Sequence, residues 1–254
     1  MKKWRNLFFV LVVMSSCASA VGEDDFDEDV GQVQHWAMLG DMHAQNMLAL
    51  SYLNGDFGYQ SVDEARIWLS RAAKQGHPGA QTNLGLLYLT GEGDIVDEQR
   101  ALELFYAAAD QDFAAAQLIL GSLYEAGKSV PQSYEEAANW YMEAAEKGNA
   151  GAQYHLALLY SEGRGLERDE NKATYWLNKS AEQGLSSAQF QLGRHYLYGI
   201  GVPADMVLGY QYLLEASMNV SRKSLDSRDL VSAGLTVEQI AEIQDDSRNW
   251  QTRF

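Results

Sequence analysis

An uninterrupted repeat of 36 residues constrains this chain more than any other feature of its sequence. The dipeptide Ala-Gln recurs in one phase without insertion, beginning at Ala44, Ala80, Ala116, Ala152 and Ala188. In every copy the Ala is followed by a Leu after four residues, a Gly or Ala after five, a Tyr after eight and a Gly after eleven. The first four of these residues fall on one stripe of a helix, and the Gly stands where a left-handed C-terminal cap is needed. Each copy therefore begins with a helix that ends at this glycine.

A second helix is predicted in each copy, because a residue that caps helix N-termini recurs in one phase: Ser61, Asp97, Ser133, Asp169 and Asp205. Ser61 with Glu64, and Ser133 with Glu136, match the capping box. An apolar stripe follows each cap, and its tryptophans, like the repeated tyrosines, are predicted to be core residues: Trp68, Trp140 and Trp176. Glycines close three of the second helices, whereas Asp112 and Val220 stand in that phase in the other two.

Each copy is thus a helical hairpin with two apolar faces, which only stacking against neighbouring hairpins can bury. The frame A-Q-x-x-L-[GA]-x-x-Y-x-x-G, followed by A-x-x-W-x-x-x-A-A-x-x-G, resembles the Sel1-like repeat, a relative of the tetratricopeptide repeat. The resemblance covers residues 41–220 as five repeats. It implies an all-α fold, a right-handed α-solenoid of helical hairpins with a tetratricopeptide-like superhelix.

The two ends of the chain differ from the repeats. Residues 1–20 combine three cations, a short apolar run and a small-residue motif, which predicts a signal peptide and an exported, periplasmic or secreted protein. The alternative is a lipid anchor on Cys17, the only cysteine. Residues 21–27 are predicted to be an acidic disordered tail, with a docking role left open. Residues 28–40 and 221–254 are predicted to cap the stack at its two ends.

The sequence offers little support for chemistry at a catalytic, metal or cofactor site. A formal net charge of −16 excludes the cationic surface that nucleic acids require. The five histidines have no metal-ligand spacing, and there is neither a phosphate-binding loop nor a G-x-S-x-G motif. We therefore predict a protein without catalytic residues, metal or cofactor, and a mature chain without a transmembrane segment.

Function is expected where the copies differ, because the positions at which they agree are explained by helix packing. In tetratricopeptide solenoids the first helix lines the concave face, so the resemblance assigns the outward positions of this helix to a binding groove. These positions include Leu118, Glu125, Tyr154, Glu162, Phe190, Arg194 and Tyr198. Aromatic residues with an Arg are typical of binding hot spots.

The predicted function is a non-catalytic scaffold or adaptor of the bacterial envelope that binds a partner protein or peptide in this groove. Relatives imply a sensor kinase, a secretion component, a flagellar motor component or a host protein as the partner. Two alternatives remain at this point. One is a β-lactam-binding or hydrolysing enzyme, as in cysteine-rich relatives, although the paired cysteines of those proteins are absent from this chain. The other is a structural outer-membrane lipoprotein anchored through Cys17.

Overall fold

The computed structural model describes residues 30–219, with side chains described from residue 31 to residue 216. These residues form eleven helices and no β-strand, which confirms the all-α prediction. The predicted signal peptide, acidic tail and C-terminal capping helices lie outside the described residues. The chain divides into two compact units, Met1–Gln132 and Ser133–Phe254.

The first unit contains six described helices, each packed against the next along the chain. They are α1 (Val30–Met38), α2 (Met42–Asn54), α3 (Val62–Lys74), α4 (Pro78–Thr90), α5 (Glu98–Ala109) and α6 (Ala114–Ala126). The core of this unit is formed by the repeated leucines and by Phe105, all of them buried.

The second unit contains five described helices with the same consecutive packing. They are α7 (Tyr134–Glu146), α8 (Ala150–Glu162), α9 (Glu170–Glu182), α10 (Ser186–Tyr198) and α11 (Met206–Asn219). Leu156, Leu177 and Leu192 are buried at its centre, and Trp176 packs against them while remaining partly exposed. The prediction that the tryptophans are core residues is confirmed in full only for Trp68, since Trp140 is also partly exposed.

The predicted caps form where the first helix of each repeat ends and where the second helix begins. Each predicted cap side chain accepts a backbone N–H of the first turn that follows it, from Ser61 (3.2 Å to Glu64) to Asp205 (3.0 Å to Leu208). The glycine that ends each first helix is left-handed, with φ between 62° and 81°. Asp112, which replaces a closing glycine, also adopts a left-handed conformation, with φ of 63°.

Only one of the two hydrogen bonds of the capping box forms at Ser61. Its hydroxyl caps the helix, but its backbone N–H donates to the carbonyl of Tyr52 at 3.0 Å rather than to Glu64. The same nine-residue closure recurs from Asp97 to Tyr88, from Asp169 to Tyr160 and from Asp205 to Tyr196. The carbonyl of the repeated Tyr thus closes each of these hairpins.

The Gln of the repeated Ala-Gln pair is buried in every copy. In four copies its amide nitrogen donates to the carbonyl eight residues earlier, in the preceding helix, as in the 3.1 Å bond from Gln153 to Ala145, whereas Gln189 donates to Glu215. In three copies its amide oxygen accepts from a Gln thirty residues later at 2.8 Å, as in the bond from Gln183 to Gln153. The paired amides explain why a polar residue recurs within the packing.

Small residues allow close helix contact in the last repeat. A Cβ added at Gly193 of α10 would lie 2.8 Å from the carbonyl oxygen of Gly209 in α11, and one added at Gly209 would lie 2.9 Å from that of Gly193. Gly209 stands where the other repeats have Ala, and its missing side chain allows the backbones of α10 and α11 to come into contact. No helix within residues 30–219 is both long and apolar enough to span a bilayer.

Candidate functional site

One face of α10 presents two aromatic rings and an arginine to solvent. Phe190, Arg194 and Tyr198 stand four residues apart, and we call them the α10 stripe. Phe190 is 50% exposed, Tyr198 is 70% exposed, and Arg194 is also exposed. The opposite face, with Ala188 and Leu192, is buried. Residues spaced by four lie on one side of a helix, so the stripe is continuous.

Tyr154 on α8 supports this stripe from the neighbouring repeat. It packs against the buried cluster around Leu177 and Leu192, and burial raises the pKa of its hydroxyl. Its hydroxyl is hydrogen-bonded by the side chain of Gln191. Gln191 in turn accepts a hydrogen bond from Nη1 of Arg194 at 3.2 Å. This chain of contacts holds one edge of the guanidinium, while the group as a whole stays exposed.

A cleft of about 510 Å³ opens beside Arg194 within the second unit. Its walls come from α8, from the start of α9, from α10 and from the loop that follows α10. The lining residues are Ala157, Leu158, Ser161, Glu162, Arg168, Glu170, Leu177, Gln191, Arg194, His195, Gly199, Ile200 and Gly201.

The charges around the cleft are paired, with one exception. Glu170 accepts from Arg168 at 2.6 and 3.0 Å and from the hydroxyl of Ser161 at 3.1 Å. Glu162 forms an ion pair with Arg164. Among the described residues, Arg194 has no carboxylate partner and hydrogen-bonds only to the neutral amide of Gln191. Within residues 30–219, Arg194 is therefore the cleft's one cation without an ionic partner, in a chain whose formal net charge is −16.

Beneath the cleft, His195 joins α9 to the loop after α10. Its Nδ1 lies 2.7 Å from the hydroxyl oxygen of Thr174, which also lies 2.9 Å from the carbonyl of Glu170 and 3.0 Å from that of Ile200. A hydroxyl has one hydrogen to donate, so Nδ1–H of His195 donates to Thr174 while the hydroxyl donates to a carbonyl. Burial is the main cause that lowers the pKa of His195, which favours the neutral ring. This arrangement fixes the loop that forms one wall of the cleft.

The structure brings five of the seven predicted site residues into the second unit, on α8 and α10. Tyr154, Glu162 and the α10 stripe lie there, and Glu162 and Arg194 line the cleft. The other two, Leu118 and Glu125, belong to α6 of the first unit. Leu118 is only 7% exposed, and its contact with a partner stays a prediction.

Within each unit, a position expected to face outward makes a packing contact. The residue two after the repeated Ala contacts the first helix of the next repeat in two cases, since Asn46 accepts from Asn83 at 3.4 Å and Tyr154 contacts Gln191. These two residues therefore pack against a neighbouring helix of their own unit.

Sequence reasoning missed the cleft itself and the bond between His195 and Thr174. One signal was present, because His195 occupies a phase in which three other copies have a Leu: Leu87, Leu123 and Leu159. A second pair was also missed, since Nε2 of His77 lies 3.2 Å from Nδ1 of His43 across two repeats. No group of three or more potential metal ligands occurs in the part of the chain that the structure describes.

The family model described as Sel1 repeat matches the chain five times, at residues 43–77, 78–113, 114–149, 150–185 and 186–220. No curated protein matches the chain.

Solved structures are similar over most of the chain. A Sel1 repeat protein from Oxalobacter formigenes is 26% identical, with a TM-score of 0.68 over 97% of this chain and 93% of that one. A protective antigen of uropathogenic Escherichia coli, which displays an SLR fold, is 28% identical, with a TM-score of 0.54 over 86% of this chain. This chain spans 55% of the length of that antigen. An immunity protein from Pseudomonas aeruginosa, 20% identical with a TM-score of 0.53 over 82% of this chain and 81% of its own, shares the fold.

Proposed function

This chain belongs to the Sel1 repeat family, and from that membership we propose that it is a non-catalytic adaptor that binds a partner protein through the exposed faces of α8 and α10. Proteins with Sel1 repeats generally mediate protein–protein interactions, and their fold typically serves as a scaffold rather than as an enzyme. No observation in residues 30–219 or in the comparisons favours the β-lactam alternative.

The α10 stripe is the observation that carries this proposal. Aromatic and arginine side chains dominate the energetics of protein interfaces, because they combine a large contact area with directed hydrogen bonds. Phe190 and Tyr198 expose half or more of their surface on a helix whose other face is fully packed. Contiguous exposed apolar surface marks interaction sites, and here two exposed rings flank an Arg that has no carboxylate partner among the described residues.

The stripe is also held in place before any partner arrives. Gly193 sits in backbone contact with α11, and the Gly199 cap ends α10 directly after Tyr198. The loop beyond that cap is fixed by the bond between Thr174 and His195. A preformed surface loses little conformational entropy on binding, so more of the interaction energy contributes to affinity.

We place this adaptor in the bacterial envelope. The support is the signal-like segment of residues 1–20, with a lipid on Cys17 as the alternative means of retention. A sensor kinase, a secretion component or a motor component would then be the partner. Labelled palmitate incorporation that is lost in Cys17→Ala would identify the lipoprotein, and release of unlabelled chain into the periplasmic fraction would identify the soluble form.

In-cell photocrosslinking tests the binding surface. A photoreactive residue is placed in turn at Phe190, at Tyr198 and at Tyr175, an equally exposed aromatic on α9 that serves as the matched control. We expect Phe190 and Tyr198 to capture one common protein that Tyr175 does not capture. Equal capture from all three positions, or capture of abundant bystanders alone, would remove the α10 stripe as the binding surface.

A further inference from the structure

We propose that the partner segment is extended and carries a carboxylate between two apolar side chains, in the order apolar, any, Asp or Glu, any, apolar. This inference rests on the proposed function, since it names the chemistry that the α10 stripe would recognise. Two observations carry it: Arg194 has no carboxylate partner among the described residues, and the three residues of the α10 stripe are spaced four apart.

The electrostatic argument begins with the pairs already formed around the cleft. Glu170 is bonded to Arg168 and Ser161, and Glu162 is paired with Arg164, so both acids that line the cleft are compensated. The guanidinium of Arg194 has five N–H donors, of which one is bonded to Gln191. The remaining donors face no carboxylate among the described residues. A guanidinium matches a carboxylate by two parallel hydrogen bonds, which makes a carboxylate its strongest complementary group.

The spacing argument concerns the rings on either side of Arg194. Residues four apart on a helix are separated by about 6 Å along its axis, because the rise is about 1.5 Å per residue. In an extended peptide, side chains two residues apart point to the same side and are separated by about 6.6 Å. An extended segment that lies along α10 therefore places three alternate side chains opposite Phe190, Arg194 and Tyr198. The outer two meet aromatic rings and the central one meets the guanidinium.

The net charge of the chain favours a single acidic position over an acidic run. The chain has 35 acidic residues against 19 Lys and Arg, so its formal net charge is −16. Further carboxylates beyond the one at Arg194 would approach this negative surface, which opposes their binding. Apolar flanking side chains avoid that repulsion and bury the exposed rings.

Fluorescence anisotropy with labelled synthetic peptides tests the inference on the full chain. The probes have the form Gly-Leu-Ser-X-Ser-Leu-Gly, with X as Glu, Gln or Lys. We expect the Glu peptide to bind about tenfold more tightly than the Gln peptide, and the Lys peptide to bind most weakly. Arg194→Gln should abolish the preference for Glu over Gln, and Arg194→Glu should reverse it in favour of Lys. Arg71→Gln, which removes an exposed Arg of the first unit and makes the same change in net charge, is the matched control and should leave the preference intact.

The outcomes separate this inference from the proposed function. Equal binding of the three peptides that is weakened by Tyr198→Ala would keep the surface but overturn the carboxylate. A preference for Glu that persists in Arg194→Gln would overturn the role of Arg194. No binding of any peptide would overturn the extended motif, and photocrosslinking from Tyr198 would then decide independently whether the α10 stripe binds a partner at all.

Discussion

The last described repeat contains a partly buried acid, Glu215 on α11, and replacing it by Gln should stabilise the protein. Burial raises the pKa of Glu215 on α11 to about 7, from 4.5. Gln189, which is fully buried, donates to Glu215 at 3.5 Å, while its own amide oxygen has no hydrogen-bond partner within residues 30–219. The substitution Glu215→Gln removes the buried charge and supplies a donor for that oxygen, as a Gln does in three other repeats.

The size of the effect follows from the proton equilibrium. Below pH 4.5 the acid is protonated in both states and its burial costs no ionisation energy. As the pH rises from 4.5 to about 7, the unfolded chain loses this proton while the folded chain keeps it, so the unfolding free energy falls. Each tenfold change in proton affinity corresponds to about 1.4 kcal/mol, so the shift sets an upper limit of about 3.5 kcal/mol, and solvent screening at this partly exposed carboxylate lowers the loss above pH 7 to about 3 kcal/mol or less.

Urea unfolding followed by far-UV circular dichroism provides the test, at about pH 4 and about pH 8. Glu215→Gln should match the wild-type unfolding free energy at the lower pH and exceed it by up to about 3 kcal/mol at the higher pH. Glu146→Gln, which removes an exposed acid of the same unit, controls for the change in net charge. A stability difference that is the same at both pH values, or a less stable variant at about pH 8, would refute the reasoning.

Three further predictions concern stability. His77 caps α4, since its Nδ1 accepts a hydrogen bond from the backbone N–H of Ala80, and burial is the main cause that lowers its pKa below 6.5. The stability that this cap provides is therefore complete above pH 6.5 and is lost as the pH falls. Thermal unfolding should show that the His77→Asn variant loses less stability than the wild type on acidification. Gly193→Ala should cost about 1–3 kcal/mol by calorimetry, since its Cβ would clash with Gly209, and an unchanged midpoint would contradict the close contact. Gln153→Met should cost about 1–2 kcal/mol in urea unfolding because it removes both bonds of a buried amide, whereas Gln183→Met, at an exposed residue that makes one of those two bonds, should cost less.

Much of the fold was predictable because the same helix-capping residues recur at the same positions of each repeat. The caps at Ser61 and Asp97 and the left-handed Gly55 depend on residues close to them in the chain, and a five-fold recurrence removes the ambiguity of a single motif. The role of Gln153 was not predictable in this way. Its partners lie eight residues before and thirty residues after it, and only the packed hairpins bring them together.

The candidate site was predictable in part, for the same reason. Tyr198 and Arg194 were identified correctly as exposed, since their helix phase is opposite to that of the repeated Leu. Leu118 shares its phase with Phe190 yet is 7% exposed where Phe190 is 50% exposed, so the helix phase alone does not determine exposure. Whether Arg194 has an ionic partner depends on which acids are already paired with Arg164 and Arg168, and the repeat pattern of the sequence does not predict those pairs.

The glutamine links also bear on how a chain of this kind changes length. In the second repeat, Gln81 donates backwards to Ala73, and the carbonyl of Ala109 accepts from Gln117 of the third. If residues 78–113 were deleted, Gln117 would meet the carbonyl of Ala73 in the same relation. Duplication would likewise present each new Gln with a matching carbonyl. Insertions or deletions of 36 codons therefore leave the buried Gln at each of these junctions with a carbonyl to which it can donate. Related proteins are expected to differ in length by whole repeats.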